Sequence, residues 1–255
     1  MILDNENNNL KVHEWIAKYN EEGKLDIVTG YFTIGALAYL SNITNQKIDE
    51  YRFILGDIVS FDTSKLKSLD LLNENIGIET SLKLKQLAQE AVSFLELKKV
   101  DIKTLEPNFC HAKVYLKTAK EDDRNHYFIT GSSNLTEAGM GLKTTSNVEL
   151  NLGETGNNNQ YIQLISWFEE LWQKDQAHQY KTIILDNGKT LKIPFKQYLI
   201  EQISKLFKEY SPEQIFFKIH LSCLNQLKNF RNFSIILSYD SHLLKIDIGH
   251  VIIAL

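Results

Sequence analysis

The segment CHAKVYLK, residues 110–117, alternates along its length. Read as a strand, it turns His111, Lys113, Tyr115 and Lys117 to one face and Ala112, Val114 and Leu116 to the other. His111 and Lys113 then lie about 6–7 Å apart. Such a pair suits phosphate chemistry. An ammonium binds and neutralises phosphate oxygens, and imidazole works as nucleophile or as acid and base near neutral pH. A second segment, YFITGSSNLTEAG at 127–139, is an apolar strand running into Gly131, Ser132, Ser133 and Asn134. Gly131 permits close backbone approach. Ser132 and Asn134 offer a hydroxyl and an amide for phosphate oxygens or neighbouring side chains. In SNVELNL, Asn147 and Glu149 share one strand face, and a carboxylate at 149 is suited to hydrogen-bond the far ring nitrogen of His111. Singly, each feature also fits a solvated strand face or a turn rich in Ser and Asn.

The elements that must carry these residues are legible from periodicity. Leu10–Asn20 is predicted helical, entered from the Asn run at 7–9 and stopped by Gly23. Strands are predicted at Leu25–Thr33, Tyr51–Ser60, Val100–Leu105, His111–Thr118, Tyr127–Ser132 and Asn147–Leu152. Helices are predicted from Ile34–Leu40, across most of 64–97 with a break near Gly77, at Asn157–Ala177 and at Gln197–Tyr210. Lys181–Phe195 reads as a hairpin turning at Asn187-Gly188. This order argues an α/β fold, a mixed sheet sandwiched between helices. The division expected is 1–180 for a catalytic domain and 181–255 for a hairpin and helical extension. The apolar end VIIAL is expected either as a buried final strand or as the point where a longer protein continues.

The chain has 255 residues, 28 basic and 32 acidic side chains, and a formal net charge of −4. Only Arg52, Arg124 and Arg231 are arginines, so a broad cationic coat for polyanions is excluded. A local basic groove from Lys83, Lys85, Lys98, Lys99, Lys113, Lys117, Lys120 and Lys143 is the remaining way to concentrate positive charge. Cys110 and Cys223 cannot form a disulfide framework, nor do they have the partners of a zinc site. The start MILDNENNN is not a signal peptide, and no apolar run reaches membrane-span length. A cytoplasmic protein is expected. Gly188-Lys189-Thr190 lies in a hairpin, with Ile183 where a phosphate-binding loop needs glycine, so it is no nucleotide site. Trp167 and Trp172 are expected in the core.

Taken in order, H-x-K at 111–113, G-S-S-N-L-T-x-x-G at 131–139 and N-x-E at 147–149 resemble the phospholipase D superfamily motif, HxK…D…GSxN. The stretch LDIVTGYFTIGALAYL is similar to the opening of phospholipase D-like domains at the N-terminus of bacterial helicases of restriction and defence systems. One position departs. The family's Asp five residues after the Lys is Thr118 here, which favours the nuclease-like and helicase-linked branches over lipid hydrolases.

The resemblance implies a phosphodiesterase acting on DNA through a phosphohistidine, with no metal or other cofactor. His111 would attack phosphorus, Lys113 and Asn134 would hold its oxygens, Ser132 would support the motif and Glu149 would orient His111. Ser133, Asn147 and Lys117 would contribute to substrate binding. The scheme needs two H-x-K motifs and the chain has one, so the site is expected across a homodimer. His126, the nearest other histidine, is read as a cap for the strand at Tyr127. A helicase motor on this or another chain is a further expected partner, and a membrane is not. Two other readings stay open: a catalytically inactive module for DNA binding or dimerisation, and a lipid phosphodiesterase, which the missing secretion signal and interfacial helix disfavour.

Overall fold

The computed structural model describes residues 1–6, 11–56, 78–106, 110–143, 147–184, 188–209, 245–248 and 251–254. The chain divides into two compact units, Met1–Lys208 and Glu209–Leu255.

The first unit is α/β, as its pattern predicts. Its elements run β1 (Ile2–Leu3), α1 (Val12–Lys18), β2 (Gly23–Thr29), α2 (Ile34–Thr44), β3 (Ile48–Leu55), α3 (Ile78–Glu96), β4 (Val100–Leu105), β5 (Val114–Ala119) and β6 (Tyr127–Gly131). Then come β7 (Asn151–Thr155), α4 (Asn159–Gln173), β8 (Ala177–His178), β9 (Tyr180–Ile184), β10 (Thr190–Pro194) and α5 (Phe195–Glu209). Eight strands form one sheet in the order β1-β7-β6-β5-β2-β3-β4-β8. The β2–β3 and β3–β4 pairs are parallel, joined by helical crossovers, and the others are antiparallel.

Alternation along the strands builds two cores. Leu25 and Ile27, Tyr51 and Phe53, Tyr115, Tyr127 and Ile129 point one way and pack with α1, α2, α3 and α5. Val28, Ile54, Leu116 and Phe128 point the other way, against Tyr161, Phe168, Leu171 and Trp172 of α4. Burying a residue such as Phe168 contributes about 2–3 kcal/mol. Caps start the helices: Thr33 accepts from Ala36 N–H at 3.4 Å, and Asn158 from Tyr161 N–H at 2.8 Å. Arg52 on β3 fastens α4 to the sheet. It donates to both oxygens of Asp26 at 2.7 Å and to Glu169 at 2.6 and 3.1 Å, with its guanidinium over Phe168. Trp172 is buried and Trp167 packs beside it, as expected.

β9 and β10 pair as the expected hairpin, with Gly188 at φ +75. Together with α5, whose Phe195, Leu199 and Ile203 join the core, they lie within the first unit. Expected boundaries shift beside the site. The strand expected from His111 begins at Val114, and the one expected at Asn147–Leu152 runs Asn151–Thr155. Of the helix expected across 64–97, Ile78–Glu96 is helical as expected, and 64–77 lies outside the described residues. The Asn run at 7–9, the end of the strand at 57–60, the break near Gly77, Asn187 and Cys223 lie outside the described residues. In the second unit, Lys245–Ile248 pairs antiparallel with Val251–Ala254, so the apolar end contains a strand.

Candidate active site

A cleft of about 500 Å³ opens beside the start of β5 and the end of β6. It is lined by His111, Ala112, Lys113, Val114, Thr130, Gly131, Ser132 and Asn134. Two segments 15 or more residues apart in sequence therefore meet where the motif needs them to.

His111 and Lys113 lie in the extended segment before β5, not in the ladder itself. Gly131 N–H still donates to Lys113 C=O at 3.3 Å, which holds the segment in register. Lys113 Nζ sits 3.1 Å from both ring nitrogens of His111 and donates to the His111 carbonyl at 2.7 Å. His111 is exposed, whereas Lys113 is only 8% exposed. Burial pulls the Lys113 ammonium below its ordinary range, opposed by Cys110 and Glu149. Cys110 is buried and its thiol is pushed up by desolvation.

Gly131 is required by packing. A Cβ there would meet the Leu150 carbonyl and, at 2.6 Å, both Cα and Oδ1 of Asn151. β6 and β7 approach closely enough for Ser132 to reach Glu149. The Ser132 hydroxyl donates to Glu149 Oε2 and accepts from Leu150 N–H at 3.0 Å. Glu149, itself buried, also accepts from Asn147 Nδ2 at 3.3 Å. Asn134 Oδ1 accepts from Tyr31 N–H at 3.2 Å and lies 3.3 Å from the Thr29 hydroxyl oxygen. Asn134 also lines the cleft.

Two sequence-predicted binding residues sit elsewhere. Ser133 is fully buried. Its N–H and hydroxyl are taken by Asn151 at 3.0 and 2.9 Å, and its carbonyl by the Tyr115 hydroxyl at 3.2 Å. It ties the loop down instead of facing a substrate, because adjacent serines leave a strand end on opposite sides. Lys117 is four residues along the strand from Lys113, about 13 Å away. It is 1% exposed and its ammonium caps the carbonyls of Glu22 and Thr118 at 3.0 and 3.2 Å. Desolvation pulls it down to about 8.

The expected basic groove is not built from the lysines that are described at its centre. Lys99 caps the carbonyls of Asn45 and Ile48, and Lys120 pairs with Glu22 and Asp49. Lys113 is the lysine that lines the cleft. Thr118, at the family's Asp position, shares a 2.7 Å hydrogen bond with the Tyr161 hydroxyl of α4. His126 Nδ1 accepts from Ala119 N–H at 3.1 Å and Nε2 meets Asp123 at 3.2 Å, so it secures the turn before β6, as expected. At the start of α2, the Glu137 carboxylate lies against Gly35.

Sequence reasoning missed Asn151 and Thr29. Asn151 also donates to the Leu3 carbonyl at 3.0 Å, and so joins the GSSN loop, β7 and β1. The period-2 series Asn147, Glu149, Asn151 was its signal.

No protein-family model matches the chain, and no curated protein matches it. Among solved structures, similar ones include the phospholipase D family member Nuc from Salmonella typhimurium, at 14% identity and TM-score 0.42, covering 70% of this chain and 95% of that one. NucT from Helicobacter pylori is similar at 14% identity and TM-score 0.39, covering 65% of this chain and 86% of that one. Phosphatidylserine synthase from Haemophilus influenzae is similar at 16% identity and TM-score 0.41, covering 89% of this chain and 46% of that one, so this chain spans under half of that protein. Among the described residues, no helix is long and apolar enough to cross a membrane.

Proposed function

We propose that this chain is a phospholipase D-like phosphodiesterase that cleaves DNA without a metal, through a phosphohistidine. The observation that carries the reading is the His111–Lys113 contact at 3.1 Å in a cleft that Ser132 and Asn134 also line. A ring nitrogen of His111 attacks phosphorus. The N–P bond forms as the P–O bond to the leaving alcohol breaks. Lys113 and the Asn134 N–H2 group hold the non-bridging oxygens as charge builds. Glu149 sets the Ser132 hydroxyl at the cleft wall. A second histidine protonates the leaving oxygen, then takes a proton from the water that breaks the N–P bond.

That second histidine is the partner subunit's His111. Support for a homodimer comes from an exposed apolar stripe at the start of β7 and on β1. Val148 and Leu150 are 73% and 67% exposed, and Leu152 and Ile2 beside them are exposed too. This apolar stripe borders Ser132 and Glu149, where a second copy would bury it and bring its own cleft alongside. Work beside a helicase motor, in a restriction-type system, rests on the likeness of residues 25–40 alone.

The test is turnover of plasmid and of bis-p-nitrophenyl phosphate in EDTA. Activity is expected in the wild type and absent in His111→Ala. DNA binding without turnover would instead support a non-catalytic module, for which the replacement of the motif Asp by Thr118 speaks. Light scattering at micromolar concentration is expected to show a dimer, and a strict monomer would overturn the active nuclease.

A further inference from the structure

We propose that Tyr31 is a specificity-determining residue, whose ring packs on a nucleobase next to the phosphate held in the cleft. The inference rests on the phosphodiesterase reading above. Tyr31 follows the C-terminal end of β2 and is fixed at both backbone groups. Its N–H donates to Asn134 Oδ1 at 3.2 Å, and its carbonyl accepts from the Thr29 hydroxyl at 2.7 Å. The next residue, Phe32, is buried and bridges to Leu135. The backbone is thus pinned on both sides, yet the Tyr31 side chain stands 39% exposed. The side chain that its N–H meets, Asn134, lines the cleft.

Charge points the same way. Among the described residues, Lys113 is the lysine in the cleft lining, and Lys99, Lys117 and Lys120 are committed to carbonyls or acids. A phosphodiester held at one cationic point needs affinity from its flanking groups. A rigidly placed aromatic ring supplies it by stacking, which any base satisfies. The ligand class is therefore a phosphodiester with a base, or another flat aromatic group, on the neighbouring unit.

The experiment uses the full chain in EDTA and two fluorescein-labelled probes, a tetrathymidylate and an abasic sugar-phosphate tetramer. Anisotropy is expected to show the wild type binding the thymine probe about 10-fold more tightly. Tyr31→Ala and Tyr31→Leu are expected to bring the ratio close to one, and Tyr31→Phe to keep it. A ratio unchanged in Tyr31→Ala and Tyr31→Leu overturns the assignment. So does a wild type with no base preference, or one that binds neither probe. Turnover of bis-p-nitrophenyl phosphate is read separately. If His111→Ala leaves it unaltered while the base preference follows Tyr31, the phosphodiesterase reading falls and the stacking residue stands.

Discussion

Both ends of β5 have a lysine and a histidine, and the fold uses them in opposite ways. At its start, Lys113 touches the ring of His111 and both line an open cleft. At its end, Lys117 is sealed against the carbonyls of Glu22 and Thr118, and His126 is held by Ala119 and Asp123. The residue types are the same. Both lysines are held by a backbone carbonyl, Lys113 by that of His111. What differs is what lies beside them. Lys117 is sealed at 1% exposure, whereas Lys113 lines a cleft that an anion from outside can enter.

The comparison breaks most sharply on the histidines. His111→Ala is expected to lower phosphodiester turnover by about 10³-fold or more, while His126→Ala keeps turnover and lowers the melting temperature. Equal losses of turnover would end the distinction between the two ends. The lysines follow. Lys113→Ala should cut kcat by about 10²–10³-fold, and Lys117→Met should stay within about 2-fold.

Glycines sharpen the contrast in stability. Gly23, at the closed end, has φ +139, and a Cβ there would meet the Thr118 carbonyl and lie 2.7 Å from Lys117 Nζ. Gly23→Ala should cost about 2–4 kcal/mol in denaturant titrations and leave turnover of the folded protein intact. Gly131→Ala should cost about 1–3 kcal/mol and also reduce turnover, since it moves Ser132 away from Glu149.

The two ends also differ in pH dependence. Lys117 is pulled down to about 8 by burial, so between about pH 8 and its ordinary value an unfolded chain holds a proton that the folded chain has released. Stability should rise with pH across that window, by up to about 3 kcal/mol, and Lys117→Met should lose that rise. His126 is lowered by desolvation, against the pull of Asp123. Its neutral folded form costs nothing above about pH 6.5, and stability should fall below that as the unfolded ring protonates. His126→Asn should flatten this acid limb in urea titrations followed from pH 7 to 5.

The comparison also shows how far the amino-acid pattern reaches. Long periodic segments were legible: Val100–Leu105 and the starts of α2 and β6 fall where predicted, because alternation and helical spacing report which face is buried. The spacing of His111, Lys113, Ser132 and Asn134 was legible as a constellation. Side-chain partners were not. Alternation places Lys113 and Lys117 on one face, but says nothing of the carbonyls of Glu22 and Thr118, which come from the tertiary fold. Ser132 and Ser133 look alike in a motif, and only the neighbouring Glu149 and Asn151 separate them. β7 starts late, and ahead of it Glu149 accepts from both Asn147 and Ser132 side chains outside the strand ladder. β1, of two residues, has no period to read.

The capping lysines have a consequence for how ionic strength acts on this protein. Lys99, Lys103, Lys117 and Lys196 each donate to backbone carbonyls. Ammonium groups held this way displace few counterions from an approaching polyanion. The affinity of a nucleic-acid strand at this cleft should then change little between low and physiological salt, with a log–log slope near that of one or two phosphate contacts. Recognition at the cleft would survive conditions that strip most polyanion-binding proteins from their ligands.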